Sequence, residues 1–114
     1  MSAEVDVASA IDLLKARCLH NLDRLDDAIA LLDEFRSNNE THFAADSLLA
    51  LILQDNGDFA RAKELGQTVA DSPTPLFEGT LACAEAISVL DGIEPASPYF
   101  ERAVALSPHT PDGR

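Results

Sequence analysis

Leu49-Ala50-Leu51-Ile52-Leu53-Gln54-Asp55-Asn56-Gly57-Asp58-Phe59-Ala60-Arg61-Ala62 decides the fold. Its apolar opening has no alternation and no β-branched run beyond Ile52, which suits a buried helix. Asp55-Asn56-Gly57-Asp58 then reverses the chain, since Asn-Gly is a strong turn signal. Phe59 and Ala62 restart helical spacing on the far side. The segment reads as a helix end, a tight turn and a helix start.

The same skeleton recurs upstream and downstream with a period of 34 residues. Ala16, Ala50 and Ala84 form one series, and Ala28, Ala62 and Ala96 another. Three residues after the first series stand Leu19, Leu53 and Ile87. Turns follow at Asn21-Leu22-Asp23-Arg24 and at Asp91-Gly92, and Leu25, Phe59 and Ile93 stand just past the three turns. The alanines mark places where one helix must come close to another. The alignment predicts three units at 9–42, 43–76 and 77–110, with residues 1–8 extending the first helix. Residues 111–114 form a tail or the start of a fourth unit, because the period puts the next first-helix alanine beyond the last residue. Six helices are expected, at about 4–21, 25–38, 42–55, 59–71, 75–90 and 94–107. Thr74 before Pro75 reads as the cap of the fifth. Pro95 and Pro98 are expected in the first turn of the sixth, where amides lack intrahelical partners.

These residues resemble tetratricopeptide (TPR) repeats. The third unit carries Ala96-x3-Phe100…Pro108, and the second carries Leu49-Ala50-x2-Leu53…Gly57-Asp58-Phe59…Ala62. The first reads Ala16-x2-Leu19…Leu25-x2-Ala28-x3-Leu32. The resemblance implies an all-α fold: an α-solenoid of three antiparallel helix-turn-helix units in a right-handed superhelix. Two departures stand out. The aromatic residue that often opens a repeat is replaced by Asp12, Asp46 and Thr80, and Gly66 occupies the place of a large residue in the second unit. Gly66 reads either as a weak point, costing about 1 kcal/mol of helix propensity, or as a site of unusually close helix approach.

Composition narrows the function classes. The chain has 20 acidic and 8 basic residues, a formal charge of −12, and lacks the basic footprint of a nucleic-acid binder or of a protein held on an anionic membrane. Met1 to Val7 carries Glu4 and Asp6 and no basic residue, unlike a secretory signal, so a cytoplasmic location is expected. Cys18 and Cys83 both sit in apolar helical patterns and are expected to be buried free thiols.

Catalysis has little to stand on. His20, His42 and His109 are scattered over different units, without metal-ligand spacing. Asp55-Asn56-Gly57-Asp58 lacks the further ligands of a calcium loop. Asp26, Asp27, Asp33 and Glu34 read as a solvated outer face. The expectation is a protein without enzymatic activity, cofactor or metal.

The resemblance further implies that the first helix of each unit lines a concave groove that holds a polypeptide partner. Carried over, the groove positions are Leu13, Arg17, His20 and Asn21 in the first unit, and Ser47, Leu51, Gln54 and Asp55 in the second. The third unit contributes Glu78, Leu81, Glu85 and Ser88. Some TPR domains grip a C-terminal carboxylate with lysine, arginine and asparagine. Here only Arg17 and Asn21 could do so, and Glu78 and Glu85 would repel an anion. Leu13, Leu51 and Leu81 suit instead a helix or extended segment with apolar anchors, with a basic residue near Glu85. The expected role is a scaffold or adaptor module, a piece of a longer TPR protein. The alternative is a small acidic TPR-type secretion chaperone holding an exported subunit. Tyr99, Ala103, Val104 and Leu106 are expected to leave the last helix partly apolar on its outer side, a route to self-association.

Overall fold

The computed structural model describes the backbone of residues 3–38 and 42–107, with side chains described from Ala10 onward. The described residues fold into six α-helices and no strand: α1 (Ala3–Asn21), α2 (Leu25–Asn38), α3 (Phe43–Asp55), α4 (Phe59–Ala70), α5 (Phe77–Leu90) and α6 (Ile93–Leu106). Pro108 and residues 108–114 lie outside the described residues.

Each helix packs on its successor, and α1, α3 and α5 also touch in order, α1 on α3 and α3 on α5. The tight turns within the three helix pairs make this possible. Asp23 (φ 62°), Gly57 (φ 86°) and Gly92 (φ 105°) each take a left-handed backbone there. Glycine does so without steric cost, and aspartate is among the few other residues that tolerate it.

All six period alanines, at 16, 28, 50, 62, 84 and 96, are fully buried. Their lack of bulk lets the backbones approach, and inserting a larger side chain would overpack the contact by roughly 1–3 kcal/mol. Around them Leu32, Phe35, Leu48, Leu49, Ile52 and Leu53 form the main core, with Ala86 reaching it from α5. Burial of each large aliphatic side chain contributes roughly 1.5–3 kcal/mol. A smaller cluster of Cys83, Ile87 and Ala96 continues under Tyr99 and Phe100. Burial pushes the Cys83 thiol up to about 11, with Asp71 adding to the effect.

Helix starts differ from expectation in two places. α5 begins at Phe77 after Leu76, which offers no capping side chain, so Thr74 is not its cap. Ser47 of α3 supplies the missing acceptor: the Gly79 amide donates to Ser47 Oγ at 2.6 Å. Pro98 falls in the second turn of α6, because the helix already begins at Ile93. Its ring removes the amide that would have bonded Glu94, a local cost the flanking packing absorbs.

Burial differs from expectation as well. Cys83 is buried but Cys18 is exposed, since no described helix covers that side of α1. On α6, Ala103 is buried and only Val104 of the four expected outer residues is strongly exposed. Tyr99 lies half-buried, accepting a hydrogen bond from Gln67 at 3.0 Å while the Arg102 guanidinium stands over its ring. Leu106 is also half-buried.

Candidate partner-binding face

The first helices of the three pairs bring together five of the twelve predicted groove residues: Arg17 with Glu78, and His20 and Glu85 with Asp55. Arg17 of α1 donates two hydrogen bonds to the Glu78 carboxylate of α5, at 3.0 and 2.8 Å. The residues are 61 apart in sequence, and the pair joins the first helix to the fifth although α3 lies between them in the order of contacts. The two hydrogen bonds raise the Arg17 pKa further above its ordinary value. The ion pair is solvent-exposed on both sides, so it sets geometry more than stability, contributing about 0–1 kcal/mol.

A second polar link lies one helical turn along. His20 Nε2 stands 2.6 Å from Asp55 Oδ2, tying α1 to α3. Beside Asp55 is Glu85 of α5, whose carboxyl is held above its ordinary pKa by burial first and by the Asp55 charge second. Among the described residues no side chain donates a hydrogen bond to the Glu85 carboxylate. Ser88, one turn on, spends its hydroxyl on the Glu85 carbonyl at 2.7 Å. Leu51 and Leu81 are half-buried, as are Gln54 and Ser88, while Asn21 and Asp55 are exposed.

Two predicted groove residues belong elsewhere. Ser47 is buried and caps α5. A hydroxyl one helical step from a groove position cannot be told from a groove hydroxyl by spacing alone. Leu13 is half-buried and packs against the main core. The acidic residues of α2 behave largely as expected. Asp26, Asp27 and Glu34 are exposed, whereas Asp33 is half-buried and bound by Arg61 of α4 at 2.9 Å.

Arg17 is thus already engaged by Glu78 and is not free to clamp a carboxylate. Half-buried Leu51 stands one helical turn before Asp55 on α3, and half-buried Leu81 one turn before Glu85 on α5. Among the described residues no group of three or more His, Cys, Asp or Glu side chains is placed to hold a metal ion. No described helix is long and apolar enough to cross a membrane. Sequence reasoning missed the pairing of Arg17 with Glu78. Both residues were singled out, but their juxtaposition depends on how three helix pairs curve. No family model, curated protein or solved structure matches this chain.

Proposed function

We propose that this chain is a protein-interaction module of the tetratricopeptide type: three helix-turn-helix units stacked as a right-handed solenoid. It binds a polypeptide segment on the face shared by α1, α3 and α5. The observation that carries the reading is that Arg17–Glu78 and His20–Asp55 tie α1 to α5 and α3, with Glu85 feeling the Asp55 charge, on helices that also carry half-buried Leu51 and Leu81. The 34-residue register supports the stacking, since all six equivalent alanines are buried at helix contacts. A bound segment places apolar side chains on Leu51 and Leu81, and a lysine or arginine beside Glu85, whose carboxylate feels the Asp55 charge and receives no side-chain hydrogen bond among the described residues.

Affinity capture from the native lysate, with the bound proteins read by mass spectrometry, tests the reading. Leu51→Glu is expected to remove the specific partner while the helical circular dichroism signal and the melting temperature stay near those of the wild type. Capture of the same proteins by wild type and Leu51→Glu, with both folded, sinks the assignment of this face. Loss of the helical signal would instead make Leu51 a core residue, and the face would lose its central anchor.

A further inference from the structure

A different face of α1, turned away from Arg17 and His20, carries an open apolar groove of about 450 Å³. Ile11, Leu14, Lys15, Cys18 and Leu19 line it from α1, and Leu31 from α2. Ile11 and Leu14 are 48% and 61% exposed, unusual for large aliphatic side chains side by side on one helix.

The repeat register shows what these positions meet elsewhere in the molecule. One period on from Ile11, Leu14, Lys15 and Cys18 stand Ala45, Leu48, Leu49 and Ile52, and one period further Gly79, Ala82, Cys83 and Ala86. All eight counterparts are buried. In α5 the cover comes from the second helix of the pair before: a Cβ on Gly79 would meet the Val69 side chain, and a Cβ on Gly66 would meet Cys83. In α3 it comes from α2, whose Leu32 and Phe35 share the core with Ala45, Leu48, Leu49 and Ile52. There Arg36 Nε also donates to Asp46 Oδ1 at 2.9 Å. α1 has the same receiving surface without a described helix upon it. Asp12, the counterpart of Asp46, forms no ion pair with a described residue.

We propose that the α1 groove is the docking site for a basic amphipathic helix. That helix lies on Ile11, Leu14 and Cys18 as α2 lies on α3, and sets a cationic side chain against Asp12. Two features favour a basic helix over a helix of a second copy. The chain carries a formal charge of −12, so copies repel one another. The far end of a copy also presents Val104 where α2 has Arg36, leaving Asp12 without a cation. This site is separate from the α1–α3–α5 face and does not depend on its function.

Cys18 supplies the readout, because it is exposed in the groove while Cys83 is buried with its thiol pushed up to about 11. The probe is a synthetic peptide of the α2 sequence Leu25–Asn38 with Ala30→Lys, held helical by a lactam between the Asp26 carboxyl and the Lys side-chain amine at position 30, and with Asp27, Asp33 and Glu34 replaced by glutamine. Added to the full chain, it is expected to slow alkylation of Cys18 by iodoacetamide at least tenfold, saturably, as followed by mass spectrometry. The same peptide with Arg36→Glu is expected to bind at least tenfold more weakly, and Asp12→Lys in the protein to restore that loss. Absence of protection by the helical peptide overturns the proposal, as does equal protection by the Arg36→Glu peptide. Protection of Cys18 on raising the concentration of the chain alone would assign the groove to a second copy, and overturns it too.

Discussion

The junction of α2 with α3 and the junction of α4 with α5 use the same six repeat positions with opposite chemistry. In the first, Leu32, Phe35 and Arg36 meet Ala45, Asp46 and Leu49; in the second, the equivalent residues are Gly66, Val69 and Ala70 against Gly79, Thr80 and Cys83. The first junction is filled by large side chains and closed by a charge pair with Asp46 almost fully buried. The second is closed by backbone proximity: a Cβ on Gly66 would sit 2.7 Å from the Gly79 carbonyl oxygen and 2.9 Å from Cys83 Cβ. One repeat scaffold therefore accepts either bulk with a buried ion pair or glycine with close approach. Bulk cannot be carried from the first into the second, because a Cβ on Gly66 or Gly79 already meets neighbouring atoms.

Substitutions that carry one solution into the other test this. The largest effect is expected from Gly66→Leu, which puts the first junction's Leu32 into the second. The new side chain meets backbone that cannot rotate away, so the loss is about 3 kcal/mol in chemical denaturation, at the upper end for overpacking. A loss below about 1 kcal/mol would mean that α4 and α5 separate easily.

Arg36→Ala is expected to cost about 1–2 kcal/mol, because it strands the Asp46 carboxylate in a buried position. Adding Asp46→Thr, the residue of the second junction, removes the stranded charge and should recover most of that loss. Failure to recover would show that Arg36 acts through its aliphatic stem rather than its charge.

The smallest change is expected from Thr80→Val. The Thr80 hydroxyl is fully buried and has no hydrogen-bond partner among the described residues, so an isosteric methyl should raise stability by about 1 kcal/mol. A loss of stability would reveal a bridging partner for that hydroxyl.

Much of this was legible beforehand. The alanine series and the turns placed all six helices to within two residues, since spacing and turn chemistry are local properties of the chain. Gly66 was legible as an oddity with two meanings, and the Gly79 carbonyl decides for close approach. The candidate faces were harder to read. Ser47 looked like a groove hydroxyl and is the cap of another helix. Cys18 looked like a core thiol because its counterpart Ile52 is one. A period reports which positions are equivalent, but it is silent on whether the neighbour that covers them is present.

By itself the sequence determined the helices, their turns, and the small residues at their contacts, because these follow from propensity and periodicity along the chain. The tertiary structure alone decided that Arg17 reaches Glu78, that Asp46 is buried against Arg36, and that α1 keeps an apolar flank in the open. Those facts depend on how far each helix pair rotates against the next. That rotation is set by summed packing across the junctions, which no single stretch of residues encodes.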